Sequence, residues 1–295
     1  MRAFLRPATR STPPNTIGWT VDRAGPDWRD DPRTVRPVVL VLGGFLTSPP
    51  IYRPFRRRLL ERGAADVVVA PVWLPDWLLA ASRGLGPIVS RGARGLLAAG
   101  IAAAASRESR AAPVLVVGHS AGGVVGRLLL APEPFDGRPC RAAGRIGALV
   151  TLGSPLRPGP RFLGRAGTAA ARFAETVSPG AFHAPLVGYL SVSSRSVVGR
   201  AAGDGQERMA WRVYRGLVPE PMAGPIEGDG LVPVQSALLP GARQLVLDDA
   251  AHGQGAGRPW YGVEPELDHW WPLALETWHE ALEARMAARP LPRSA

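Results

Sequence analysis

The chain contains no lysine: its 35 basic side chains are all arginine, set against 24 acidic residues for a formal charge of +11. Without lysine there can be no P-loop, whose grip on phosphate needs that ammonium group. A strongly basic chain raises polyanions as partners. Here the arginine-only basicity accompanies abundant Ala, 35 Gly and 31 Pro, and reads as coding bias, so no nucleic-acid partner is expected. Peripheral contact of an Arg-rich face with anionic membrane stays open as a further reading. Cysteine is almost missing as well, and Cys140 alone excludes an intrachain disulfide. There is no His-Glu-x-x-His, no Cys-x-x-Cys pair and no carboxylate cluster with metal-ligand spacing, so neither metal nor cofactor is expected. Long apolar runs are scarce too. The strongest, residues 95–105, is flanked by Arg and falls short of the roughly 20 residues that span a bilayer, so it is read as a buried helix. Residues 1–15 carry three Arg and three Pro but no apolar core of a secretory signal, and a cytoplasmic location is expected.

What the chain does contain is a series of short apolar runs separated by longer helical stretches. Residues 37–42, 65–70, 113–117, 146–152, 189–194 and 244–247 read as buried strands, with helices over 52–62 and 91–107 between them. Strands joined by crossover helices imply an α/β domain: a mostly parallel central sheet, helices on both faces, and active-site loops at the carboxyl ends of the strands. The expected organisation is an N-terminal extension over 1–34, one catalytic domain over 35–288 and a short tail over 289–295. Insertions are expected at about 157–186, as a small cap, and at about 200–227.

One segment carries specific chemistry. The run Val114-Leu-Val-Val117 leads into Gly118-His-Ser-Ala-Gly122-Gly123 and then into Val124-Val-Gly-Arg-Leu-Leu-Leu130, which has helical character. A serine on a sharp strand-to-helix turn needs small neighbours because the backbone crowds it, and Gly118 and Gly122 supply them. Ser120 is thereby a candidate nucleophile. Gly43 and Gly44, after the first strong strand, permit close backbone approach. The N–H of Phe45, with that of Ala121 behind the serine, is the candidate pair of donors for an oxyanion; Gly44 and Leu46 compete with Phe45 because the register of the loop is open.

A serine hydroxyl is a weak nucleophile until a base takes its proton and an acid orients that base. His252, in the small-residue loop Ala250-Ala-His-Gly253 beyond the last strand, is the candidate base, ahead of His119, His183, His269 and His279. Asp229, in Gly228-Asp-Gly230, is the candidate acid, with Glu227, Asp204, Asp248 and Asp249 as competitors. About 30 residues separate the strand near 189–198 from Asp229, longer than such loops usually run, so something must fold between them. Trp73 and Trp77, beyond the second strand, are candidates for the apolar wall of an acyl site, the other reading being core packing.

Taken together, Leu42-Gly-Gly-Phe45, Gly118-His-Ser-Ala-Gly122, Gly228-Asp-Gly-Leu-Val-Pro233 and Ala251-His-Gly253 make residues 36–288 resemble the α/β-hydrolase superfamily on its lipase and esterase side. The later segment Arg258-Pro-Trp-Tyr-Gly262, followed by Trp270-Trp271, is similar to lipase-like hydrolases of cyanobacteria and plant plastids. The resemblance implies Ser120, Asp229 and His252 as nucleophile, acid and base, and a carboxylic ester, small or lipid, as substrate. The alternatives are a thioesterase or acyltransferase on the same residues, or a catalytically idle module that binds a lipid or a protein.

Overall fold

Strands without a polar face must be covered on both sides, and that requirement organises the computed structural model, which describes residues 28–157, 159, 164–218, 223–255 and 257–288. In chain order the elements are β1 (Val38–Leu42), α1 (Arg53–Glu61), β2 (Asp66–Val69), α2 (Leu74–Arg83), α3 (Gly86–Ala105), β3 (Val114–His119), α4 (Ala121–Leu130) and β4 (Ile146–Leu152). They continue as α5 (Gly164–Val177), β5 (Gly188–Ser194), β6 (Val197–Gly199), α6 (Gly205–Leu217), β7 (Ile226–Gly228), α7 (Val234–Ala237), β8 (Arg243–Leu247) and α8 (Glu266–Ala287).

Six strands form one sheet in the order β2-β1-β3-β4-β5-β8, every neighbouring pair parallel. Alternation along each strand divides the core in two. Val38, Leu40 and Leu42 of β1 and Val114 and Val116 of β3 face α2, α3, α4 and α5, whereas Val39, Val41, Leu115 and Val117 face α1 and α8. Three tryptophans of α8 fill the second face and each indole N–H is satisfied: Trp270 donates to the Tyr261 carbonyl, Trp271 to Arg62 and Trp278 to Pro113. Burial of this kind stabilises by about 1.5–3 kcal/mol per large apolar side chain.

The chain runs outward from β1 to β2 and then crosses back to place β3 on the other side of β1. The direction of winding therefore reverses between β1 and β3, and a crevice opens at their carboxyl ends. The loops containing Gly43–Gly44 and Ser120 leave from those two ends.

Several expectations change in detail. The apolar helix expected over 95–105 starts at Gly86 and runs 20 residues, long and apolar enough by length and composition to cross a membrane. In this fold Ile88, Val89, Leu96, Ala99 and Ala103 are buried and the helix packs on β1, β2 and α4. Two arginines, Arg91 and Arg94, lie within it, which is why the apolar stretch looks shorter in sequence than the helix is in space. Of the segment expected as a cap, α5 packs Ala170, Ala171 and Ala174 into the α2/α4 side of the core. The buried Arg127 guanidinium of α4 ties it there, donating to the carbonyls of Leu156, Ala174 and Ser178 and to the Glu175 carboxylate. The parts of the expected extension, cap, second insertion and tail at 1–27, 158, 160–163, 219–222 and 289–295 lie outside the described residues. Trp28, where description begins, is buried and donates its backbone N–H to Arg110.

Candidate active site

β3 ends at His119 and α4 begins at Ala121, so Ser120 alone makes the turn, at φ 55° and ψ −125°. A non-glycine residue at positive φ is strained by on the order of 1–3 kcal/mol and persists where its surroundings hold it. Here the Ser120 N–H donates to the Leu152 carbonyl at 2.9 Å. Two residues to either side the turn admits only glycine: a Cβ at Gly118 would stand 2.6 Å from Gly123 Cα, and one at Gly122 would stand 2.1 Å from the Leu42 carbonyl oxygen.

His252 Nε2 lies 3.0 Å from Ser120 Oγ, and its Nδ1 lies 2.8 Å from Asp229 Oδ2. The carboxylate accepts at Nδ1, so the proton resides there and Nε2 is left to accept from the serine hydroxyl. Asp229 is 2% exposed and fully partnered. Oδ1 accepts from the N–H groups of Leu231 and Val232, and Oδ2 accepts from His252 and from the Tyr261 hydroxyl at 2.9 Å. Burial opposes its ionisation, but His252 and the two backbone donors outweigh burial and hold the carboxyl below the usual carboxylate range. Tyr261 moves the other way: burial, then the neighbouring Asp229, raises its phenol far above the ordinary value, so it stays a donor. The close approach of the carboxylate depends on Gly153, where a Cβ would stand 2.4 Å from Asp229 Oδ2 and φ is +52°.

The long gap before Asp229 is filled by a small unit of its own. After β5 the chain forms β6, then α6, then β7, which pairs antiparallel with β6 and ends at Gly228. Tyr214 of α6 accepts from the Gly230 N–H at 2.7 Å and donates to the Val197 carbonyl, bracing the loop that carries Asp229. The His252 N–H donates to the Asp229 carbonyl, tying the two loops through their backbones.

Most of the competing residues are engaged elsewhere or exposed away from Ser120. Asp204 caps α6, Asp248 pairs with Arg195, Asp249 pairs with Arg258, and Glu227 is exposed on β7. His183 bonds the Leu130 carbonyl, His279 bonds that of Val35, and His269 is exposed on α8. His119 is different: it is buried between Tyr52 and the His252 carbonyl.

The loop after β1 runs against Ser120, since a Cβ on Gly44 would stand 3.0 Å from Ser120 Cβ. Of the three N–H groups left open by sequence, that of Gly44 is taken by the Tyr52 hydroxyl at 2.8 Å. Among the described residues no hydrogen bond uses the N–H of Phe45, Leu46 or Ala121. Trp73 is 47% exposed, but Trp77 is 1% exposed and belongs to the core, so it does not form an open wall as one sequence reading had it. Its ring meets Phe45 edge-on at 5.6 Å and supports the loop from beneath. The tyrosines Tyr52, Tyr214 and Tyr261 and the role of His119 escaped the sequence reading. Of these, only Tyr261, within the Trp-Tyr-Gly segment, and His119, within the Gly-x-Ser-x-Gly turn, lie in stretches that the sequence singles out.

No protein-family model matches the sequence, and no curated protein matches it. Among solved structures, the mature form of the Bacillus licheniformis lipase BlEst2 aligns over 81% of this chain and 92% of its own, at 14% identity and TM-score 0.55. The apo form of Thermogutta terrifontis esterase 2 aligns over 88% and 87%, at 13% identity and TM-score 0.45. With a six-stranded parallel sheet, helices on both faces and the first of these likenesses, the chain has the α/β-hydrolase fold.

Proposed function

We propose that this protein is a serine hydrolase that cleaves carboxylic esters through an acyl-enzyme. The observation that carries the reading is the unbroken line from Ser120 Oγ to His252 Nε2, and from His252 Nδ1 to Asp229 Oδ2, at 3.0 and 2.8 Å. Ser120 Oγ attacks the carbonyl carbon as its proton passes to His252 Nε2. The tetrahedral oxyanion accepts from the N–H groups of Phe45 and Ala121. His252 then protonates the departing alkoxide, the C–O bond breaks, and the acyl group remains on Ser120. Water repeats the sequence with His252 as base, releasing the carboxylic acid. Asp229 stays ionised and balances the charge on His252 throughout.

An apolar acyl group suits the surroundings. Phe45, Leu46, Ile51, Trp73, Leu74 and Leu78 are all exposed, on the segment after β1 and at the start of α2. The Leu74 N–H donates to Ser48 Oγ, and Gln254, two residues beyond the base, donates to the Ile51 carbonyl. The lipase of similar fold agrees with an ester substrate. The test is fluorophosphonate labelling with mass mapping, together with p-nitrophenyl ester turnover, on the wild type, Ser120→Ala and His252→Ala. The expected result is one adduct at Ser120 and turnover lost by about a thousandfold or more in both variants. A folded wild type that neither labels nor turns over would refute the reading.

A further inference from the structure

The histidine of the nucleophile turn, His119, forms a link that the hydrolytic sequence itself does not use. His119 Nε2 lies 2.8 Å from the carbonyl oxygen of His252. A carbonyl only accepts, so Nε2 carries the proton. Burial, then the charge of His252, lowers the pKa of His119 to about 3, so the ring is neutral and its Nδ1 is an acceptor. Tyr52 Oη stands 2.9 Å from that Nδ1 and therefore donates to it, while accepting from the Gly44 N–H at 2.8 Å. The result is a directed chain: Gly44 N–H to Tyr52 Oη, Tyr52 O–H to His119 Nδ1, His119 Nε2–H to His252 C=O.

Its ends are the two loops whose relative position matters most to the proposed reaction. Gly44 immediately precedes the oxyanion donor Phe45, and His252 is the base. His119 immediately precedes Ser120, so the nucleophile's own neighbour joins the other two. Trp260 packs its ring 5.4 Å from His119 and 6.3 Å from Tyr52, shielding the chain from water on that side. It arrives with the segment that also brings Tyr261 to Asp229, so Pro259-Trp-Tyr261 supports both ends of the site.

We infer that Tyr52 and His119 are positioning residues that hold the oxyanion loop and the base in register with Ser120, a role that rests on the hydrolase reading above. Loss of the link shifts the oxyanion donor and the base relative to the nucleophile without touching the substrate. It therefore lowers kcat and the affinity for a tetrahedral adduct and leaves KM in place. A 1 Å displacement of this kind costs on the order of a hundredfold in rate.

The experiment uses the full chain and four forms: wild type, Tyr52→Phe, His119→Asn and His119→Gln. Asparagine keeps an acceptor near Nδ1 for Tyr52 but cannot reach the His252 carbonyl; glutamine reaches that carbonyl with an N–H but leaves Tyr52 without its acceptor. Each form is measured for kcat and KM on p-nitrophenyl butyrate, for inhibition by phenylboronic acid, for fluorophosphonate labelling of Ser120, and for folding by circular dichroism. Folded Tyr52→Phe is expected to lose kcat by about tenfold to a hundredfold, with KM within about twofold and boronate inhibition weakened in step with kcat. His119→Gln should lose boronate affinity as Tyr52→Phe does. His119→Asn should retain boronate affinity while its labelling slows, because the base side alone is released. Wild-type kcat in folded Tyr52→Phe, or a loss that appears only in KM, overturns the positioning role and leaves the hydrolase reading intact. A folded wild type with neither labelling nor turnover overturns both.

Discussion

The neutral, buried state of His119 makes stability depend on pH in a way that can be isolated. Its pKa is about 3 in the folded chain and 6.5 as the ordinary value, because burial and the nearby His252 oppose a second proton. Protonation would also put a donor at Nδ1 facing Tyr52 Oη, which already accepts from Gly44 and has only Thr47 Oγ1, at 3.4 Å, for its own proton. The folded pKa lies below the unfolded one. Under acid the unfolded chain therefore takes up a proton that the folded chain refuses. The stability is complete above pH 6.5 and is lost as the pH falls toward 3. The slope is about 1.4 kcal/mol per pH unit, so the first two units below 6.5 remove roughly 3 kcal/mol. Asp229, held below its ordinary 3.8, loses stability in the same direction but at lower pH, so the upper part of the window belongs to His119. The assay is urea unfolding of the wild type and His119→Asn across this range. Asparagine does not titrate, and subtracting the two curves cancels groups common to both. The difference should be constant above pH 6.5 and shift steadily against the wild type below it. Parallel curves down to pH 4 would refute the argument.

Four further outcomes follow from particular contacts. Asp229→Asn keeps the size of the acid but removes its charge and its preference for the Nδ1 proton, so kcat should fall by roughly a thousandfold to ten thousandfold with KM nearly unchanged in steady-state kinetics. Gly122→Ala drives a Cβ against backbone at Leu42 and should prevent stable folding, read as a loss of soluble protein or of the thermal transition. Tyr214→Phe leaves the Gly230 N–H without its partner and should cost about 1–3 kcal/mol in chemical denaturation, with kcat lowered because the acid loop loosens. Leu78→Asp on the exposed face of α2 should raise KM for long-chain p-nitrophenyl esters about tenfold more than for butyrate, since burying such a side chain against an acyl chain is worth about 1.5–3 kcal/mol.

The six sheet strands were legible because a strand covered on both faces is mostly apolar, and its run stands out even where serines interrupt β5 or an Arg-Gln pair opens β8. The turn at Ser120 was legible for a related reason: Gly118 and Gly122 answer a crowding that is local to the turn. Chain order was enough to bring Asp229 and His252 forward, since each follows the strand or loop that delivers it. What residue order cannot express is which remote groups a side chain meets. Asp248, Asp249 and Asp204 fell away as acids only because Arg195, Arg258 and the start of α6 occupy them. Trp73 and Trp77 are four residues apart and alike in sequence, yet one is open and the other is core, because Trp77 faces inward on α2 beneath Phe45. The β6–α6–β7 unit makes its own pairing, and only that pairing explains how Asp229 arrives at the sheet after so long a gap. Tyr52 carries no periodic or motif signal, and the motifs that contain Tyr261 and His119 do not say what those side chains bond, for all three roles are set by hydrogen bonds to groups far along the chain. The sequence alone determined the strands, the turn and the order of the groups proposed to react, because those depend on near neighbours and on burial. The tertiary structure alone decided their partners, because a hydrogen bond depends on distance in space.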